Sequence, residues 1–133
     1  MHDTDEMIFI VDDDPSVRKS LTRLIRSAGW NVESYASGRE FLARLPFSGS
    51  GCVILDVTMP DITGLELRDQ MAARRSSLPI IFLTGGSGPT LRARAVGDDT
   101  LEFVDFLIKP VDAKTLLDAI RLATGRTIRE QSQ

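Results

Sequence analysis

A doubly wound parallel α/β sheet is the fold class this sequence predicts, and three observations point to it. Short apolar runs of strand length alternate with longer segments of helical period. The first, third and fourth runs are apolar up to their carboxyl ends, as strands covered by helices on both faces must be. The polar residues that interrupt them fall at their carboxyl ends, where open α/β sheets bind ligands.

The elements follow in order. Residues 7–11, MIFIV, are the first expected strand. Asp14-Pro15 then supplies an N-cap residue and a proline at the first helical position. Val17, Leu21, Leu24, Ile25 and Ala28 recur at helical spacing until Gly29 ends the helix. NVESY, 31–35, alternates as a second strand. Ser37, with Glu40 three residues on, has the capping-box pattern and opens a short helix carrying Phe41 and Leu42. FSGSG is a loop, and residues 52–56 form the third strand, which turns at Met59-Pro60-Asp61. A helix over about 64–73 carries Leu67 and Met71 inward. The fourth strand is IIFLT, 80–84, followed by the loop GGSGP. A fourth helix over 91–96 has a weak pattern that Gly97-Asp98-Asp99 breaks. EFVDFLI, 102–108, is a fifth strand, ended by Lys109-Pro110. A last helix over about 112–123 buries Leu116, Leu117, Ile120 and Ala123. Five strands, five helices and right-handed crossovers favour the three-layer flavodoxin-like order 2-1-3-4-5. No repeat or internal boundary interrupts the pattern, so residues 1–125 read as one domain and 126–133 as a polar tail or the start of a linker.

Bulk properties narrow the function. A chain of 133 residues fits one domain with a proper core. The formal charge of -3 advertises no nucleic-acid or membrane surface. Cys52 is the only cysteine, so no disulfide can form within the chain, and a reducing cytoplasmic compartment suits it. The N-terminus lacks a signal-peptide pattern, and no run has the length of a membrane span. His2 is the only histidine, which argues against Ser-His-Asp or Cys-His catalysis and against a His-rich metal site.

The strand ends carry the chemistry. Strand 1 ends in Asp12-Asp13-Asp14, strand 3 in Asp56, strand 4 in Thr84 and strand 5 in Lys109. Asp14 alone is explained as a helix cap, Thr84 alone as an ordinary strand-end hydroxyl, and Lys-Pro alone as a turn. Two adjacent acids beside a buried third are harder to explain structurally. Crowded carboxylates repel unless a cation neutralises them. Mg²⁺ suits a few carboxylates together with water and a phosphate. The set therefore suggests phosphoryl transfer onto a carboxylate. Asp56 would be the nucleophile, and Lys109 and Thr84 would bind phosphoryl oxygens. With no useful histidine in the chain, the phosphoryl donor comes from outside.

At this point the chain resembles the receiver (CheY-like) domain of bacterial two-component response regulators. The matching stretches are VDDDPSVRKSL (11–21), ILDVTMPDITGLEL (54–67), IIFLTG (80–85) and VDFLIKP (104–110), in order and over nearly the whole chain. The resemblance implies that Asp56 is the phosphoacceptor, that Asp13 ligates Mg²⁺ directly and that Asp12 acts mainly through water. It implies that Thr58 offers its backbone carbonyl to the metal, and that Thr84 and Lys109 grip the phosphoryl group. Phe106 falls at the aromatic switch position, and Lys109-Pro110 would be a cis peptide. In the family, phosphorylation repacks the face made by the fourth helix, fifth strand and fifth helix, where homodimers and partners bind. The implied partners are a sensor histidine kinase and a DNA-binding output domain, of LuxR or NtrC type, in a longer parent chain. The expectation is that this domain does not itself bind nucleic acid and has no membrane partner. The implied role is a signalling phosphoacceptor that takes part in its own phosphoryl transfer and autodephosphorylation, and not an enzyme acting on separate substrates.

Departures from the family pattern concentrate after the fourth strand. SGPTLRARAVGDDTLEF is longer and more polar than a clear fourth helix, which bears on the dimer face and the switch rather than on the acceptor site. Phe106 lacks a tyrosine hydroxyl, and Thr58 and Gly86 present no strong water-orienting or blocking side chain. Two other functions compete. A haloacid-dehalogenase-like phosphatase also uses a strand-end Asp with Mg²⁺, but it needs a second acid two residues on, where this chain has Thr58. A phosphate-independent interaction module would not need Asp12, Asp13, Asp56, Thr84 and Lys109 together.

Overall fold

The computed structural model describes residues 6–47, 49–57, 62, 64–74, 78–84 and 103–124, the side chains of 64, 65 and 103–106 excepted. Five strands are β1 (Met7–Val11), β2 (Asn31–Tyr35), β3 (Gly51–Asp56), β4 (Ile80–Thr84) and β5 (Phe103–Ile108). Four described helices are α1 (Pro15–Ser27), α2 (Gly38–Arg44), α3 (Gly64–Ala73) and α4 (Ala113–Ala123). The strands pair in the order β2-β1-β3-β4-β5, and every pair is parallel. This is the order read from the sequence. The fourth helix expected over 91–96, the turn after Asp56 and the tail 126–133 lie outside the described residues.

Alternation along the strands divides the core into two layers. Phe9, Val11, Val53, Leu55, Ile80 and Phe82 pack on one face with Phe41 of α2 and Leu67 and Met71 of α3. Ile8, Ile10, Cys52, Ile54, Ile81 and Leu83 pack on the other with Leu21 and Ile25 of α1 and Leu116 and Ile120 of α4. Both faces of β3 are therefore covered, and all six of its residues are buried.

Local signals set the element ends. Asp14 caps α1 by accepting the Ser16 N–H at 2.9 Å, with Pro15 in the first turn. The helix closes at Gly29, whose φ of +104° suits glycine. There the Gly29 N–H donates to the Arg26 carbonyl and the Trp30 N–H to the Ile25 carbonyl, a Schellman closure. Ser37 accepts the Glu40 N–H at 3.1 Å, while the Glu40 carboxylate accepts the Ala36 N–H at 3.4 Å. Asp112 caps α4 through the Thr115 N–H at 3.0 Å. At the start of β3, Gly51 lies so near the Met7 carbonyl that a Cβ there would overlap it.

Candidate functional site: an acidic cluster at the strand ends

Register delivers the site residues to one edge of the sheet. Val11 pairs with Leu55, so the next residues, Asp12 and Asp56, leave adjacent strands side by side. Asp56 pairs with Leu83, one residue before Thr84, and Thr84 pairs with Ile108, one before Lys109. The ladder runs one step further, because the Lys109 N–H donates to the Thr84 carbonyl at 2.8 Å. The Lys109-Pro110 peptide is cis.

Lys109 joins the two buried acids. Its Nζ lies 3.1 Å from Asp12 Oδ2 and 3.4 Å from Asp56 Oδ2. Asp12 and Asp56 are 1% and 4% exposed, so two carboxylates here share one ammonium in a low-dielectric setting. Asp13 is exposed, and its carboxylate completes a group of three with ligand oxygens all within 4.8 Å of one another. Thr84 is buried at the same edge.

The β1–α1 turn is pinned through Asp12. Its N–H donates to the Tyr35 carbonyl at 3.1 Å, and its Oδ1 accepts the Asp14 N–H at 2.9 Å. Its main-chain carbonyl accepts Arg18 Nη1 at 2.8 Å. Burial pushes the Asp12 carboxyl up, an effect that the Asp14 N–H and Lys109 oppose and that the Asp56 charge reinforces. For Lys109 burial works against the charge, but the bond to Asp12 and the charges of Asp12 and Asp56 outweigh it and hold the ammonium above its usual value. A crowded, oxygen-only donor set with three acids and one ammonium is the chemistry of a hard divalent cation, and these residues fit Mg²⁺.

The five strand-end residues picked from sequence, Asp12, Asp13, Asp56, Thr84 and Lys109, thus share one edge. Thr58 lies outside the described residues, and for Phe106 only its place in β5 is described. Sequence reading missed the support given by Arg18 and the Tyr35 carbonyl. Arg18 had a signal, standing one turn into α1 beyond the Asp14 cap; a main-chain acceptor has none.

The chain matches known proteins over this frame. A profile of the response regulator receiver domain matches residues 8–121. Nodulation protein W of Bradyrhizobium diazoefficiens is 39% identical over 123 residues, which is 92% of this chain and 53% of that protein. Response regulator protein TodT of Pseudomonas putida is 38% identical over 132 residues, 99% of this chain and 57% of that one. Transcriptional regulatory protein FixJ of Azorhizobium caulinodans is 36% identical over 127 residues, 95% and 58%. The chain therefore spans little more than half the length of these relatives. Among solved structures, response regulator StyR superposes with a TM-score of 0.81 at 38% identity, covering 92% of this chain and 61% of that one. Full-length FixJ from B. japonicum does so at 0.80 and 38%, covering 90% and 58%. By its sheet order, by the aspartates at its strand ends and by these matches, the chain belongs to the response regulator receiver domain family.

Proposed function

We propose that this domain accepts a phosphoryl group on Asp56 from a sensor histidine kinase and passes the change to an output module, a DNA-binding one, in a longer cytoplasmic parent protein. The observation that carries the reading is the placement of Lys109 Nζ between Asp12 Oδ2 and Asp56 Oδ2. An ammonium so placed neutralises the acceptor and is positioned to follow charge onto a phosphoryl oxygen.

An Asp56 carboxylate oxygen attacks phosphorus, an O–P bond forms, and the P–N bond to the donor imidazole breaks with its electron pair left on nitrogen. Asp12 and Asp13, with Asp56 and the Thr58 carbonyl, would hold Mg²⁺, which when bound neutralises charge on the phosphoryl oxygens. The Thr84 hydroxyl binds a phosphoryl oxygen and carries the change toward β5, where Phe106 is the responding aromatic residue. Autodephosphorylation reverses the bond by attack of water on phosphorus, which releases phosphate and restores the carboxylate. The relatives' names, response regulator for TodT and transcriptional regulatory protein for FixJ, support a transcriptional output. Homodimers and partners would bind through the face expected of the segment 91–96, β5 and α4.

Intact mass after incubation with acetyl phosphate and Mg²⁺ tests the reading. The expected result is one added phosphoryl group that needs Mg²⁺ and is absent from Asp56→Asn. A folded protein that gains no adduct and binds no beryllofluoride would overturn it in favour of a phosphate-independent module.

A further inference from the structure

The first helix carries charge in a pattern that the rest of the described surface does not repeat. Helix α1 has four cations, Arg18, Lys19, Arg23 and Arg26, and no Asp or Glu. Lys19, Arg23 and Arg26 stand at i, i+4 and i+7, which places them in one stripe. Like charges at that spacing destabilise a helix. Helix α4 resolves the same problem with an acid: Asp118 pairs with Lys114 at 2.9 Å and with Arg121 at 3.0 Å. Helix α1 has no such acid. Among the described residues Lys19 and Arg23 have no hydrogen-bond or ion-pair partner. Arg18 and Arg26 each donate to a main-chain carbonyl, of Asp12 and Val32, which leaves their charge unneutralised.

The stripe lines a groove of about 780 Å³ between α1 and the edge strand β2. Besides the four cations, its walls are Pro15 and three hydroxyl residues, Thr22, Ser27 and Ser34. The cores of protein interfaces are depleted in Lys. Pro15 is the one apolar residue among those lining this groove. Arg, Lys, Ser and Thr are instead the side chains that contact nucleic-acid phosphates. The seven steps from Lys19 to Arg26 rise roughly 10 Å along the helix, a length that suits a row of phosphates better than a single one.

We propose that the α1–β2 groove binds the phosphate backbone of duplex DNA. The net charge of -3 concealed this surface, because it averages a basic helix with acids placed elsewhere. The contact is independent of sequence and meets the phosphoacceptor site only at Arg18, which donates to the Asp12 carbonyl. In a parent protein carrying a DNA-binding module it would add receiver-to-backbone contacts beside the specific site.

The test is fluorescence anisotropy of a short fluorescein-labelled duplex of arbitrary sequence, titrated with the chain at several NaCl concentrations. The expected dissociation constant is about 10⁻⁴ to 10⁻⁶ M at moderate salt, with a log–log salt slope of about -3 to -4 for four neutralised phosphates. K19E/R23E, shown folded by far-UV circular dichroism, is expected to bind at least about tenfold more weakly with a slope smaller by about 2, while K114Q binds as the parent does. K19Q/R23Q serves if the charge reversal fails to fold. No binding at low salt, or binding that both double variants leave unchanged, would overturn the proposal. Tighter binding of an oligoglutamate probe than of the duplex would also overturn it and assign the groove to an acidic polypeptide.

Discussion

Asp12 has a partner for its N–H, its carbonyl and both carboxylate oxygens, and that saturation holds the acidic pair in place. The cost is three crowded carboxylates, two of them sharing one ammonium, which a divalent cation relieves. Mg²⁺ is therefore expected to raise the thermal midpoint by several degrees over EDTA, equivalent to about 2.7 kcal/mol at a hundredfold excess over its dissociation constant. Asp13→Asn should lose most of that response in a thermal melt. Glu33 is a second residue-scale case, away from the site. Its carboxylate accepts Arg44 Nε at 2.8 Å and the Tyr35 hydroxyl at 2.7 Å. The Arg44 bond holds Glu33 below its usual 4.5, while burial, followed by Glu33, pushes the Tyr35 phenol up to about 12. A lowered folded value contributes stability that is present above 4.5 and lost as pH falls through the folded value. With both partners about a third exposed, Glu33→Gln should cost about 0.5–1 kcal/mol at neutral pH and progressively less as pH falls below 4.5, by urea denaturation. The site residues were legible from their positions at strand ends. The Glu33–Arg44 pair was not, because no local pattern links a strand residue to the end of the next helix.

At the scale of elements, the caps and breaks in the sequence carried most of the information. Asp14-Pro15, Gly29, Ser37 and Asp112 each satisfy or end a helix by chemistry that belongs to residue type and offset, so they can be read without a fold. Gly51 is different. Its backbone, with φ +156°, passes against the Met7 carbonyl where β3 pairs with β1. The sequence shows only a glycine in a loop-like FSGSG. Gly51→Ala should force these strands apart and cost about 2–3 kcal/mol in urea denaturation, with the β1 and β3 amides losing hydrogen-exchange protection first.

For the molecule as a whole, one sheet joins two apolar layers, so damage on either face should be felt on both. Phe41 is fully buried on the α2–α3 side and stacks near Phe9 with ring centroids 5.4 Å apart. Trp30, the only tryptophan, packs against the opposite layer. Phe41→Ala should cost about 3–5 kcal/mol. Trp30 fluorescence and far-UV circular dichroism should then report the same lowered midpoint, as two-state unfolding requires. Separate midpoints would show that the layers unfold independently.

Topology rules for parallel α/β sheets led from the sequence to the strand order, and the sequence by itself determined the five strands, the four described helices and the polar residues that close four of the strands. Those features follow from periodicity, burial on both faces and residue-specific capping, all of which act over a few neighbouring residues. Only the tertiary structure decided that Lys109 sits between Asp12 and Asp56, that Arg18 holds the Asp12 carbonyl, and that four cations of α1 line a groove with Ser34 of β2. Lys109 and Asp12 are 97 residues apart in the chain, and their 3.1 Å contact depends on the register of four strands, which no local pattern encodes.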